Sequence, residues 1–123
     1  MSGWIEWNLF LDMDGGPRWC EKKGYGGTIN IDAKKGEAYK QPSFYAIGHF
    51  SKLVPPDSLR IGHSLVEPED GLSVLTVQRP DNRTVLIVLN TNTNSVVINV
   101  SNSEKFLFSH EISSNSIQSL IWS

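Results

Sequence analysis

Most of the side chains that could do chemistry stand near the start of the chain. Trp4, Trp7 and Trp19 fall within sixteen residues, accompanied by the carboxylates Glu6, Asp12, Asp14 and Glu21. Glu6, between Trp4 and Trp7, is the one placed where a carboxylate among aromatics could serve as a perturbed acid or base. Ion-pair networks perturb carboxylates too, and the preferred reading of Glu6 is a buried carboxylate paired with an Arg or a backbone donor. Asp12 and Asp14 flank Gly15-Gly16 and read as turn residues. Tryptophans can stack on the apolar C–H face of a sugar ring, but they are also common core fillers. On residue type alone, two of the three are expected in a core. His49, His63 and His110 are far apart, and no Cys/His/Asp cluster has zinc spacing, so structural roles are expected and neither a metal nor a cofactor. Cys20 has no base nearby in sequence and cannot form an internal disulfide, which leaves the redox compartment open. "GYGG" at 24–27 lacks the strand-to-helix context of a phosphate loop. No residue is assigned a catalytic role on these grounds.

Bulk properties narrow the classes further. The 123 residues suffice for one domain or parts of two; 39% are hydrophobic, and the net charge of −2 offers no basic field for nucleic acid. The apolar runs are too short for a transmembrane helix. Residues 1–30 lack the basic, apolar, small-residue order of a signal peptide, so an exported protein would carry one upstream. Asn82-Arg83-Thr84 and Asn99-Val100-Ser101 match the N-glycosylation pattern.

The elements that would position these residues are unevenly distributed. "GWIEWNLFL", residues 3–11, has the length of a buried strand. "DMDGGPRW" and "KKGYGGT" read as a long loop, followed by a short strand at Thr28–Ile31 and a turn near Lys34-Lys35-Gly36. Pro42 opens a helix whose apolar positions are Phe44, Ile47, Phe50, Leu53 and Val54, and Pro55-Pro56 stops it. Gln41 is its mediocre N-cap. From Ser58 on, six strand candidates follow: "LRIGHSLV", "LSVLTVQR", "TVLIVLN", "SVVINV", "KFLFSHEI" and "SIQSLIW". Short turns separate them, and the spacing suggests a β-sandwich. Val96, Ile98 and Val100 share one face and Val97, Asn99 and Ser101 the other, as in a half-buried strand, whereas "TVLIVL" is apolar on both faces and reads as central. A lone strand and helix cannot bury both faces of the strand, which suggests a missing N-terminal portion.

"GWIEWNLFLDMDGGPRW", "YKQPSFYAIGHFSKLVPPDSLRIG" and "VLIVLN" resemble the C-terminal part of the lysosomal glucosylceramidases of glycoside hydrolase family 30, and the resemblance covers nearly the whole chain. It implies an α+β fragment: the last strand (Gly3 to Asn8) and last helix (Phe44 to Val54) of a (β/α)8 barrel, then the C-terminal part of an antiparallel β-sandwich. Residues 1–57 would be barrel and 58–123 sandwich. The helix's apolar side chains would face barrel strands outside this chain. By the same resemblance Trp7 lines the glucose pocket, at the strand end where barrel active sites lie. Both catalytic glutamates would lie upstream of Met1, and Glu6 matches an acidic position that is not one of them. Lys22 and Lys23 stand where the family loop carries an Asn-Phe pair near the pocket mouth, a departure that bears on rim contacts and aglycone preference.

The implied whole protein hydrolyses glucosylceramide to glucose and ceramide with retention, in the lysosome. It would meet its lipid at a membrane surface, with an activator protein, and the remainder of the barrel would be needed for activity. A family relative with another β-linked sugar is a variant of this reading. The alternative from another class is a stand-alone β-sandwich module binding carbohydrate or a partner protein. The two differ in one physical feature, the apolar surface that an orphaned barrel strand and helix would leave open.

Overall fold

The computed structural model describes residues 3–18, 26–67, 70–103 and 105–123. The chain divides into two units, residues 1–48 and 49–123.

In the first unit, β1 (Phe10–Asp12), β2 (Ile29–Asp32) and β3 (Glu37–Lys40) form a sheet in that order. β1 runs parallel to β2, and β2 antiparallel to β3. Asp32 makes the turn between β2 and β3: its Oδ1 accepts the N–H groups of Lys34 (3.1 Å) and Lys35 (3.3 Å), and Gly36 takes the positive φ of 67° that closes it. The strand expected at Thr28–Ile31 is present one residue later, whereas β3 was not expected. "EAYK" lacks an apolar alternation, and all four of its residues are exposed.

The expected strand over Gly3–Asn8 is corrected. β1 begins at Phe10, and residues 3–9 hold no strand. Pairing decides this: the backbone bonds to the β2 side start with Thr28 N–H to Asn8 O (3.3 Å) and Ile29 N–H to Leu9 O (2.9 Å), and residues 3–7 have no strand neighbour among the described residues.

Helix α1 (Pro42–Ser51) opens at Pro42 as expected but ends before Val54. One further turn, Val54 N–H to Phe50 O at 2.9 Å, carries the chain to Pro55. A residue preceding proline is driven out of the helical region, so Val54 cannot extend the helix. No residue of α1 is buried.

The second unit is a β-sandwich. It comprises β4 (Leu59–Arg60), β5 (Leu72–Gln78), β6 (Thr84–Asn90), β7 (Val96–Asn102), β8 (Lys105–Ile112) and β9 (Ser116–Trp122). One sheet has the order β4-β5-β6-β9 and the other is the β7-β8 pair, with all neighbours antiparallel. All six expected strands appear, although only Leu59-Arg60 of "LRIGHSLV" forms strand.

β6 is central, as its two-sided apolar pattern predicts. Val85 and Ile87 point to one face, where Val77, Leu75 and Ile117 of the adjoining strands join them. Leu86 and Val88 point to the other, against Leu72, Val74, Leu120 and Trp122 of the same sheet and Ile98, Val100 and Ile112 of the β7-β8 pair. Each such buried aliphatic side chain contributes about 1.5–3 kcal/mol. The first face is covered from the last turn of α1 and the segment after it: Leu53 and Val54 pack on it, the His49 Nδ1 meets Ser119 Oγ at 2.8 Å, and Arg79 Nη1 donates to Leu53 O at 2.9 Å. The expectation that Leu53 and Val54 face absent barrel strands is thus corrected. They lie past the helix end and find an apolar partner in the sandwich itself.

Two polar constructions hold the turns. Asn90 is 0% exposed, and its Nδ2 donates to the carbonyls of Asn94 (3.0 Å), Ile112 (3.3 Å) and Ser113 (3.1 Å) while its Oδ1 accepts Asn92 N–H (2.9 Å). One side chain thereby ties the β6–β7 turn to the β8–β9 turn. In the β5–β6 hairpin, Asp81 accepts from Arg79 (Nε 3.1 Å, Nη2 3.1 Å) and Arg83 (Nε 2.9 Å, Nη2 2.6 Å). The Arg79 guanidinium first, then that of Arg83, holds the Asp81 carboxyl well below the usual carboxylate range.

Replacing Asn90 by Ala removes the hydrogen bonds of a fully buried amide to the carbonyls of Asn94, Ile112 and Ser113 and from Asn92 N–H, each worth about 0.5–1.5 kcal/mol. Urea denaturation of Asn90→Ala should show a loss of about 3 kcal/mol, against less than about 0.5 kcal/mol for Thr93→Ala in the exposed turn. For Asp81 the folded value lies below the unfolded one of about 3.9, so its contribution is present above that pH and lost as pH falls through the folded value. The thermal advantage of wild type over Asp81→Asn should be constant from pH 7 to about pH 4 and shrink below it. A difference that grows on acidification would contradict this.

Candidate functional site

The tryptophan segment lies open to solvent. Trp7 is 89% exposed, Trp4 69% and Ile5 96%, and Leu9, Phe10 and Met13 continue the open apolar surface. The expectation of two core tryptophans is corrected for Trp4 and Trp7: the described residues supply nothing for these rings to pack against. Trp19 lies outside the described residues, as do Cys20, Glu21, Lys22 and Lys23.

Glu6 is exposed rather than buried, and no Arg pairs with it among the described residues. Its two oxygens are used locally. Oε2 accepts the indole N–H of Trp4 at 3.2 Å and Oε1 accepts the backbone N–H of Trp7 at 3.3 Å. Of the reading given to Glu6, the backbone donor is present and the burial and the Arg are not. Its carboxylate thus meets the Trp4 ring and the Trp7 backbone.

Below this segment the chain is anchored firmly. Thr28 is buried, and its Oγ1 donates to Leu9 O at 2.5 Å, pinning β1 to the start of β2. Gly27 allows the approach: a Cβ there would stand 2.9 Å from Leu11 N and 3.0 Å from Ile29 O. The glycine-rich stretch therefore ends on a packing requirement, which a loop reading of "GYGG" did not reveal.

Asp12 organises the loop that follows β1. Its Oδ1 accepts the N–H groups of Asp14 (2.9 Å) and Gly16 (2.6 Å), and its own N–H donates to Gly16 O (2.7 Å). Arg18 Nη1 closes the loop on Asp14 O at 3.0 Å. Asp12 and Asp14 are turn residues, as their sequence context predicts.

The histidines do not converge. His49 pairs with Ser119 Oγ, His63 Nδ1 lies 3.4 Å from Thr76 Oγ1, and His110 Nε2 lies 3.1 Å from Gln118 Oε1. Among the described residues no group of three or more His, Cys, Asp or Glu is arranged to hold a metal, and no helix is long and apolar enough to cross a membrane. One buried side-chain oxygen among the described residues lacks a partner, Asn30 Oδ1 on β2.

Comparison with known proteins accounts for this combination of a built sandwich and an open aromatic segment. The glycosyl hydrolase family 30 TIM-barrel domain matches residues 1–54, and the family 30 beta sandwich domain matches residues 57–120. The chain belongs to glycoside hydrolase family 30. Its architecture is accordingly the end of a barrel followed by part of an antiparallel sandwich.

It is 34% identical to mouse (Mus musculus) lysosomal acid glucosylceramidase over 122 residues, 99% of this chain and 23% of that protein. It is 41% identical to putative glucosylceramidase 1 of Caenorhabditis elegans over 90 residues, 73% of this chain and 17% of that one. Among solved structures, the endo-beta1,6-glucanase BT3312 superposes with a TM-score of 0.83 at 26% identity, covering 95% of this chain and 26% of that one. The chain thus spans about a quarter or less of the length of the proteins it matches.

Proposed function

We propose that these residues are the C-terminal share of a glucosylceramidase. The whole protein would cleave the β-glucosidic bond of glucosylceramide with retention of configuration. The observation that carries this reading is the solvent exposure of Trp4 and Trp7 on a segment matching the family's barrel. Two flat aromatic faces left uncovered suit one wall of a sugar cavity completed by other strands. The unpartnered Asn30 oxygen fits the same reading, since a buried acceptor without a donor is rare in a finished structure. A module made to stand alone is the weaker reading, because it would not leave Trp4, Ile5, Trp7, Leu9, Phe10 and Met13 open together.

In this reading Trp7 binds and does no proton chemistry. Its ring would stack on the apolar face of the glucose, orienting the anomeric carbon toward two carboxyl groups borne elsewhere in the barrel. In a retaining glycosidase one of these protonates the leaving oxygen and the other, about 5–5.5 Å away, forms the glycosyl intermediate. A lysosomal location follows the mouse relative's name, and an acidic, membrane-surface setting with an activator protein completes the proposal.

Two measurements test it. The purified 123-residue chain should show no turnover of a fluorogenic β-glucoside above a heat-killed control, and measurable turnover would overturn the assignment of catalysis to other residues. In the whole natural polypeptide, Trp7→Ala should lower kcat/KM by about ten- to a hundredfold, the equivalent of roughly 1.4–2.8 kcal/mol of lost contact with the bound sugar. Trp7→Phe should recover part of the loss. An unchanged kcat/KM in Trp7→Ala would remove Trp7 from the pocket.

A further inference from the structure

The two Asn-x-Ser/Thr triplets occupy different structural settings, and the difference selects between them. Asn82 sits at the tip of the β5–β6 hairpin with a φ of 63°, a left-handed conformation that asparagine tolerates. Every charged neighbour there is engaged with Asp81, and the turn is closed by Arg79 N–H to Arg83 O (2.8 Å) and Asn82 N–H to Arg79 O (3.1 Å). The Asn82 side chain is exposed, and its amide makes no hydrogen bond among the described residues. Asn99 lies within β7 instead, opposite Ser109 of β8, whose Oγ donates to its Oδ1 at 2.5 Å. Its acceptor hydroxyl, Ser101, falls at the register shift of the β7–β8 ladder.

We propose that Asn82 carries an N-linked glycan and that Asn99 does not. The proposal rests on the routing through the secretory pathway given above. In the transfer, Asn82 Nδ2 attacks the anomeric carbon of a lipid-pyrophosphate-linked oligosaccharide. An N–C bond forms, the bond from that carbon to the pyrophosphate oxygen breaks, the lipid pyrophosphate leaves, and one amide proton passes to a base of the transferase. A hairpin tip suits the product: the sugar leaves the protein at the end of a sheet, where it displaces no packed side chain. The Arg79–Asp81–Arg83 construction holds the backbone of the tip independently of the Asn82 side chain, so the modification breaks no hydrogen bond of the turn.

The test expresses the whole natural polypeptide in a secreting eukaryotic cell, once with its own leader and once behind a heterologous secretion signal. Enzymatic deglycosylation in heavy-oxygen water, followed by peptide mass spectrometry, marks each formerly glycosylated asparagine. With the heterologous signal, the label should appear at Asn82 and not at Asn99. Asn82→Gln should lose one glycan's mass, and Asn99→Gln none. A label at Asn99 alone, at both, or at neither would overturn the proposal. Labelling at Asn82 with the heterologous signal but not with the natural leader would refute the routing and leave the site assignment standing.

Discussion

The burial of β6 on both faces is the constraint from which the second unit follows. The Val-Leu-Ile-Val run at 85–88 has no face to offer water, so it needs an apolar layer above and below. The β7–β8 pair supplies one layer through Ile98, Val100 and Ile112. The other comes from the segment after α1, through Leu53 and Val54. Two hydrogen bonds, from Arg79 to Leu53 O and between His49 in the last turn of α1 and Ser119, fix that segment in place. At its end β6 closes on Asn90, where a buried amide must satisfy all its hydrogen-bonding groups or cost more than it contributes. It does so by collecting carbonyls from two separate turns. The central strand and its terminal amide thus determine where the neighbouring turns can lie.

The first unit obeys the same rule and breaks it in one place. Its lower part is satisfied: Thr28 bonds Leu9 O, Gly27 admits the β1 backbone, and Asp12 fills its loop. Above β1 the rule fails, with two tryptophans and an isoleucine open to water and an acceptor on β2 left without a donor. A sequence under selection for a self-contained fold would place polar groups there. Within one chain, the faces of β6 are covered, although Leu59, Val66, Val97 and Phe106 of the same unit stand exposed, whereas the segment before β1 leaves Trp4, Ile5 and Trp7 open.

Much of this was legible in the residues. The two-sided pattern of "TVLIVLN" predicted a central strand, the alternation at Val96, Ile98 and Val100 predicted a half-buried one, and Pro42 marked the start of α1. What failed did so for lack of local signal. β3 has no alternation, and its strand character comes only from pairing with β2. β1 starts late because strand formation follows the partner, not the apolar run. Most of "LRIGHSLV" stays outside the sheet because only Leu59 and Arg60 pair with β5, Ile61 and His63 adding single contacts to Thr76. Tryptophan burial was misjudged from residue type, since a tryptophan serves equally in a core or at a binding wall. Spacing could not reveal that Glu6 meets the Trp4 ring and the Trp7 backbone, because those bonds depend on a local bend. Asn90 gave no sign at all, for a polar residue at a strand end ordinarily reads as a turn former.

The carboxylates nearest the tryptophans also show why this segment suits binding better than bond cleavage. A general acid must hold a proton and present it to the leaving oxygen, and a nucleophile must keep an oxygen free for the anomeric carbon. Glu6 has both oxygens committed to N–H donors of its flanking tryptophans. Asp12 has one oxygen committed to two backbone N–H groups, and diverting it would open the loop after β1. Both carboxylates thus serve local structure, Glu6 through both oxygens and Asp12 through Oδ1. An aromatic ring has no such conflict. It can be held by backbone and carboxylate contacts at its base while its face stays free, and the face is the part that meets a sugar. In the proposed reading, this end of the barrel orients the substrate and groups elsewhere move the protons.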